Sequence, residues 1–122
     1  MIFRILSFHY RLCINMIYSF MRLLLFFDLP MHNKKEIKIY TQFRKYLIQN
    51  GYLMVQYSVY CKLFANREAA VKHVQILKRN IPAKGIVHVM LVTEKQYARM
   101  EILIGGKSVQ EKLAGSKAFV KL

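Results

Sequence analysis

Between residues 21 and 104 the apolar residues of this chain change period repeatedly, and that alternation constrains the fold more than any single motif. Residues 22–28, RLLLFFD, are a continuous apolar run too short for a typical helix. Such a run reads as a strand buried on both faces. Pro30 ends it, because proline donates no ladder hydrogen bond and pushes Leu29 into extended backbone. Asn33 reads as a helix cap, with Glu36 three residues on in a capping-box-like arrangement. Ile39, Tyr40, Phe43, Tyr46 and Leu47 then recur at helical spacing as one apolar face, and Gly51 closes the helix. Residues 52–64 are β-branched, aromatic and alternating: one long strand, or two meeting near Gln56 to Ser58. No Gly or Pro chooses between them. Asn66 caps a second helix running through about Asn80, with Ala70, Val74 and Leu77 as its buried stripe. Residues 81–85 read as a loop, 86–93 as a strand, and 100–104 as a short strand ended by Gly105-Gly106.

This order places two helices on one face of an antiparallel sheet, an α+β architecture. Its natural member is a ferredoxin-like βαββαβ sandwich with an extra C-terminal strand. Residues 21–104 make the domain, and 105–122 form a less patterned tail. Residues 1–20 are apolar and aromatic but interrupted by Arg4, His9 and Arg11. Their uncharged stretch, 12–21, is only ten residues, well short of the roughly 20 that a membrane span needs. No small-residue cleavage site follows them. The expectation is either that translation begins at Met21 or that residues 1–20 are an appended segment outside the fold; an interfacial helix is the minority reading.

The charge is lopsided, with 20 Lys+Arg against 6 Asp+Glu and a formal net charge of +14. Polyanions are the expected partners, nucleic acid first and an anionic membrane surface second. Lys34, Lys38, Arg44 and Lys45 lie on the first helix and are candidate phosphate contacts. Cys13 and Cys61 match no metal-ligand spacing and read as reduced thiols of a cytoplasmic protein. The chain carries no P-loop, GxGxxG, GxSxG or HExxH, so no small-molecule substrate is indicated. His73 and His88 read as structural or solvated, and a metal triad of Asp28, His32 and Glu36 would need the intervening loop to fold back.

Asp28 is the only aspartate in the chain, and it stands at the end of the most apolar strand. A carboxylate there should be partly desolvated, a cost relieved by capping a nearby helix or loop or by binding a divalent cation. One carboxylate per chain is a poor Mg²⁺ site, and two meeting across a two-fold axis a better one. Residue chemistry alone favours the cap.

The segments MRLLLFFDLP at 21–30, FRKYLIQNGYLMVQYSVY at 43–60, KGIVHVMLVTEKQYARME at 84–101 and the closing ILIGG resemble, in order and spacing, the Cas-two family of CRISPR-associated adaptation proteins. The resemblance covers nearly all of 21–104 and has the flavour of type II systems. It implies a homodimer whose last strand pairs with the partner's sheet. It also implies a complex with the CRISPR integrase, Cas-one, in which the dimer scaffolds double-stranded DNA for spacer acquisition. It implies a metal-dependent nuclease too, acting on DNA or RNA, with Asp28 as catalytic residue and ligand of a Mg²⁺ shared between subunits. Gln56, Ser58 and Tyr60 match the family's Q-x-S-V-[FY] stretch and are implied to shape the dimer interface near that metal. Phe27 stands where many members have a tyrosine, and residues 1–20 have no family counterpart. A stand-alone ribonuclease of the virulence-associated protein D type, which shares the fold and the first-strand acid, is the alternative.

Overall fold

Burial alternates strictly along the first strand, and that alternation organises the molecule. The computed structural model describes residues 19–105. Most of the expected N-terminal extension, with His9 and Cys13, and the tail beyond Gly105 lie outside the described residues. The elements are β1 (Met21–Asp28), α1 (Lys34–Gln49), β2 (Leu53–Gln56), β3 (Val59–Phe64), α2 (Arg67–Leu77), β4 (Ile86–Thr93) and α3 (Glu94–Ala98). The strands form one antiparallel sheet in the order β2-β3-β1-β4, as a ferredoxin-like sandwich requires.

In β1 the side chains of Leu23, Leu25 and Phe27 are buried, while those between them are half-buried or exposed. A strand's side chains alternate between faces, so the odd-numbered residues meet the helices and the even-numbered ones meet the opposite face. The expectation of burial on both faces is thus corrected: within one chain the two long helices cover only one side, and the short helix α3 reaches only the Arg22 end of the other. There Phe27 packs edge-on to Phe43, with centroids 5.4 Å apart, and stacks on Tyr60 at 5.7 Å. Leu47 and Leu77 complete this core from the two helices.

The two asparagine caps hold as the sequence implies, but Glu36 closes no capping box, since its carboxylate accepts from the His32 amide and not from that of Asn33. Asn33 Oδ1 accepts from the Glu36 amide and Asn66 Oδ1 from the Ala69 amide, both at 2.8 Å. Gly51 takes a positive φ of 85° just past α1. The 52–64 region is two strands, joined by a turn at Tyr57 and Ser58 in which Ser58 supplies the positive φ, 64°, that glycine usually provides. The second helix ends at Leu77, earlier than expected.

The expected strand at 100–104 is absent in this chain. The segment pairs with neither free edge of the sheet, β2 or β4, and Ile102, Leu103 and Ile104 are 56%, 87% and 95% exposed. Before it comes the short helix α3, opened by a capping box between Thr93 and Gln96. The Arg22 guanidinium fixes α3 to the sheet. It grips Glu94 through two hydrogen bonds, 2.8 and 2.6 Å, and lies 4.4 Å from the centre of the Tyr97 ring. Among the described residues no helix is long and apolar enough to cross a membrane.

One helix–sheet contact depends on protonation. The Tyr52 hydroxyl and His73 Nε2 share a hydrogen bond of 2.8 Å, and burial raises the hydroxyl's pKa, so it stays protonated. Burial, with the Lys62 charge added, holds His73 below the ordinary histidine range. The unfolded chain therefore takes up this proton first as pH falls. The contact stabilises fully above about pH 6.5, the ordinary histidine value, and is lost as pH falls through the lower folded value. Denaturant midpoints measured from about pH 8 to 5 should decline for the wild type and decline less for His73→Gln.

Candidate functional site

The parity that buries Phe27 puts Asp28 on the opposite, uncovered face. Asp28 is exposed, not partly buried as its apolar strand suggests, so desolvation is not what distinguishes it. Nor does it cap α1, whose cap is Asn33. Among the described residues no ion pair reaches its carboxylate.

Three segments position it. Asp28 pairs with Ile86 at the start of β4. On the other side the Phe27 amide donates to the Ser58 carbonyl at 3.0 Å, extending the β1–β3 pairing into the hairpin turn. Below, Gly85, at φ 104°, lies so close that a Cβ there would sit 2.7 Å from the Asp28 carbonyl oxygen. A cleft of about 300 Å³ adjoins this end of β1, lined by Leu29, Pro30, Lys35, Ile39 and Lys84 among others.

The face that carries Asp28 is apolar and open. Leu24 is half-buried, and Phe26, Met90 and Ile86 are 36%, 50% and 53% exposed. Register places these residues on the same side of β1 and β4. Toward the far end of β1, the Arg22–Glu94 contact holds α3 against the sheet.

The remaining candidates fall elsewhere. Ser58 lies at the turn beside Phe27, and Gln56 is exposed at the end of β2. Tyr60 is 1% exposed inside the core, where it stacks on Phe27. Lys34, Lys38, Arg44 and Lys45 are all exposed on α1. Arg44 also hydrogen-bonds Tyr60, opposing the upward push that burial gives the Tyr60 hydroxyl. The Asp28, His32 and Glu36 triad does not form. Glu36 instead accepts from the His32 amide at 2.8 Å and lies 3.2 Å from its ring, and the amide bond holds the Glu36 carboxylate below its usual range. Among the described residues no group of three or more His, Cys, Asp or Glu side chains is placed to hold a metal. Asp28 alone offers a divalent cation one carboxylate, which leaves the rest of an octahedral shell to water or phosphate oxygens.

His88 escaped the sequence reading as a neighbour of Asp28. The register of β1 on β4 brings it there, and no local spacing encodes that approach.

The sequence profile described as CRISPR associated protein Cas2 matches residues 21–100. A CRISPR-associated endoribonuclease Cas2 of Acidovorax ebreus is 48% identical over 92 residues, covering 75% of this chain and 90% of that protein. The protein of the same name from Treponema denticola is 49% identical over 88 residues, 70% of this chain and 84% of its own length. That from Campylobacter jejuni is 42% identical over 95 residues, 78% and 66%.

Proposed function

The chain belongs to the Cas2 family of CRISPR-associated proteins, and from that premise we propose that it is a homodimeric subunit of CRISPR adaptation. In this reading it scaffolds double-stranded DNA for the CRISPR integrase during spacer acquisition. It also carries Mg²⁺-dependent phosphodiester cleavage on DNA or RNA. The toxin-type alternative rested on a shared fold and first-strand acid, and the family match specifies Cas2 instead.

The observation that carries the reading is the exposed Asp28 on an open apolar sheet face. Exposed apolar area of this kind, Phe26, Met90 and Ile86 together, favours burial against a partner. A second copy meeting it about a two-fold axis would bring two Asp28 carboxylates together and give residues 100–104 a sheet edge to join. Mg²⁺ between those carboxylates would offset their repulsion and stabilise negative charge developing on a phosphodiester. Gln56 and Ser58 would border that junction. Relatives at 42–49% identity carry the name endoribonuclease, which supports cleavage of RNA.

Lys34, Lys38, Arg44 and Lys45 from two chains would neutralise roughly eight phosphates. Affinity for duplex DNA should then fall on the order of 10³–10⁵-fold between about 50 and 200 mM salt, through counterion release. Fluorescence anisotropy across a salt series reads this directly, and a flat dependence would sink the phosphate-contact assignment. Spacer acquisition in cells with and without the protein, complemented by wild type or Asp28→Ala, tests the function itself. Acquisition that proceeds unchanged without the protein would refute the adaptation role.

A further inference from the structure

The β1–β4 register aligns Phe26 with His88 and Asp28 with Ile86. His88 therefore stands diagonal to Asp28 on the same uncovered face, and it is exposed. Diagonal neighbours on adjacent strands have Cβ atoms no more than about 7–8 Å apart. A carboxylate and an imidazole can reach one ion across that span, since each bonds a metal at roughly 2.0–2.2 Å. The other described histidines are committed elsewhere, His32 to Glu36 and His73 to Tyr52.

We propose that His88 is the second metal ligand beside Asp28, so that each chain offers one oxygen and one nitrogen donor. Two copies then build a mixed site that holds Mn²⁺ or Zn²⁺ more tightly than Mg²⁺. The proposal rests on the shared Asp28 site described above and changes its metal preference. Imidazole suits transition dications, whereas Mg²⁺ takes oxygen ligands and keeps its waters. Phe26 and Ile86, directly beside the pair on the same face, would limit water around the ion and strengthen ligation.

The test uses the full chain and the metals alone. Titration calorimetry should show Mn²⁺ binding at one ion per two chains, more tightly than Mg²⁺. His88→Ala should weaken Mn²⁺ by about tenfold or more, while changing Mg²⁺ less than about twofold. Asp28→Ala should weaken both. Pulsed EPR of bound Mn²⁺ should show nitrogen coupling in the wild type, altered by ¹⁵N-histidine labelling and lost in His88→Ala. The labelled wild type requires no variant to fold.

Mn²⁺ bound without nitrogen coupling, or no tighter than Mg²⁺, overturns the proposal. If His88→Ala binds as wild type while Asp28→Ala fails, His88 alone is excluded and the shared Asp28 site stands. If neither substitution changes binding, or the wild type binds no metal, both readings fail.

Discussion

Asp28→Ala is expected to abolish metal-dependent cleavage and leave the fold, the dimer and DNA binding largely intact. The carboxylate is exposed and takes part in no ion pair among the described residues, so its removal strands no buried partner. Surface changes of that kind usually alter stability by no more than about 0.5 kcal/mol. Removing a group that acts directly at the reacting centre costs far more, on the order of 10²–10⁴-fold in rate. Cleavage of labelled RNA and duplex DNA in Mg²⁺ and in Mn²⁺, with sedimentation and DNA affinity measured on the same preparations, separates these effects. Cleavage at the wild-type rate in the purified variant would remove Asp28 from the chemistry. Loss of cleavage together with loss of the dimer would instead assign it an assembly role. Spacer acquisition by the same variant then shows whether the scaffold needs the nuclease at all.

Local chemistry explains which parts of this fold could be read in advance. Both long helices announce themselves through side-chain caps, Asn33 and Asn66, and through apolar residues at helical spacing, so few long-range facts were needed. The β2–β3 turn resisted reading because Ser58 takes a backbone conformation usually left to glycine. The helix α3 is five residues long and owes its place to Arg22, 72 positions before Glu94, a contact no window on the sequence contains. Residues 100–104 have strand composition but pair with neither free edge of the sheet, so composition alone misled. The candidate site was legible at one position. Asp28 stood out as a lone acid ending an apolar strand, yet its exposure follows from parity, once Leu23, Leu25 and Phe27 have turned inward. His88 becomes its neighbour only through the register of β1 on β4.

The same closeness makes Gly85 the position where a single methyl group should do most harm. Gly85 holds φ at 104°, where side chains are rarely tolerated, and its missing Cβ would lie 2.6 Å from Leu29 Cδ2 and 2.7 Å from the Asp28 carbonyl oxygen. Backbone strain of about 1–3 kcal/mol and an overpacking cost of similar size should both apply to Gly85→Ala. The total expected is roughly 2–6 kcal/mol, enough to threaten a domain of this size. Gly51 supplies the control. It also has a positive φ, 85°, but a Cβ there meets nothing nearer than the flexible end of Lys62, at 3.6 Å. Gly51→Ala should therefore show the strain without the collision. Urea midpoints for the two variants isolate the collision as their difference, and equal losses would mean that the 81–85 loop simply moves aside. If the loop holds, the strand end must yield, because the backbone atom struck belongs to Asp28 itself. Gly85→Ala should then lose cleavage and metal affinity under conditions where it is still folded, while Gly51→Ala keeps both.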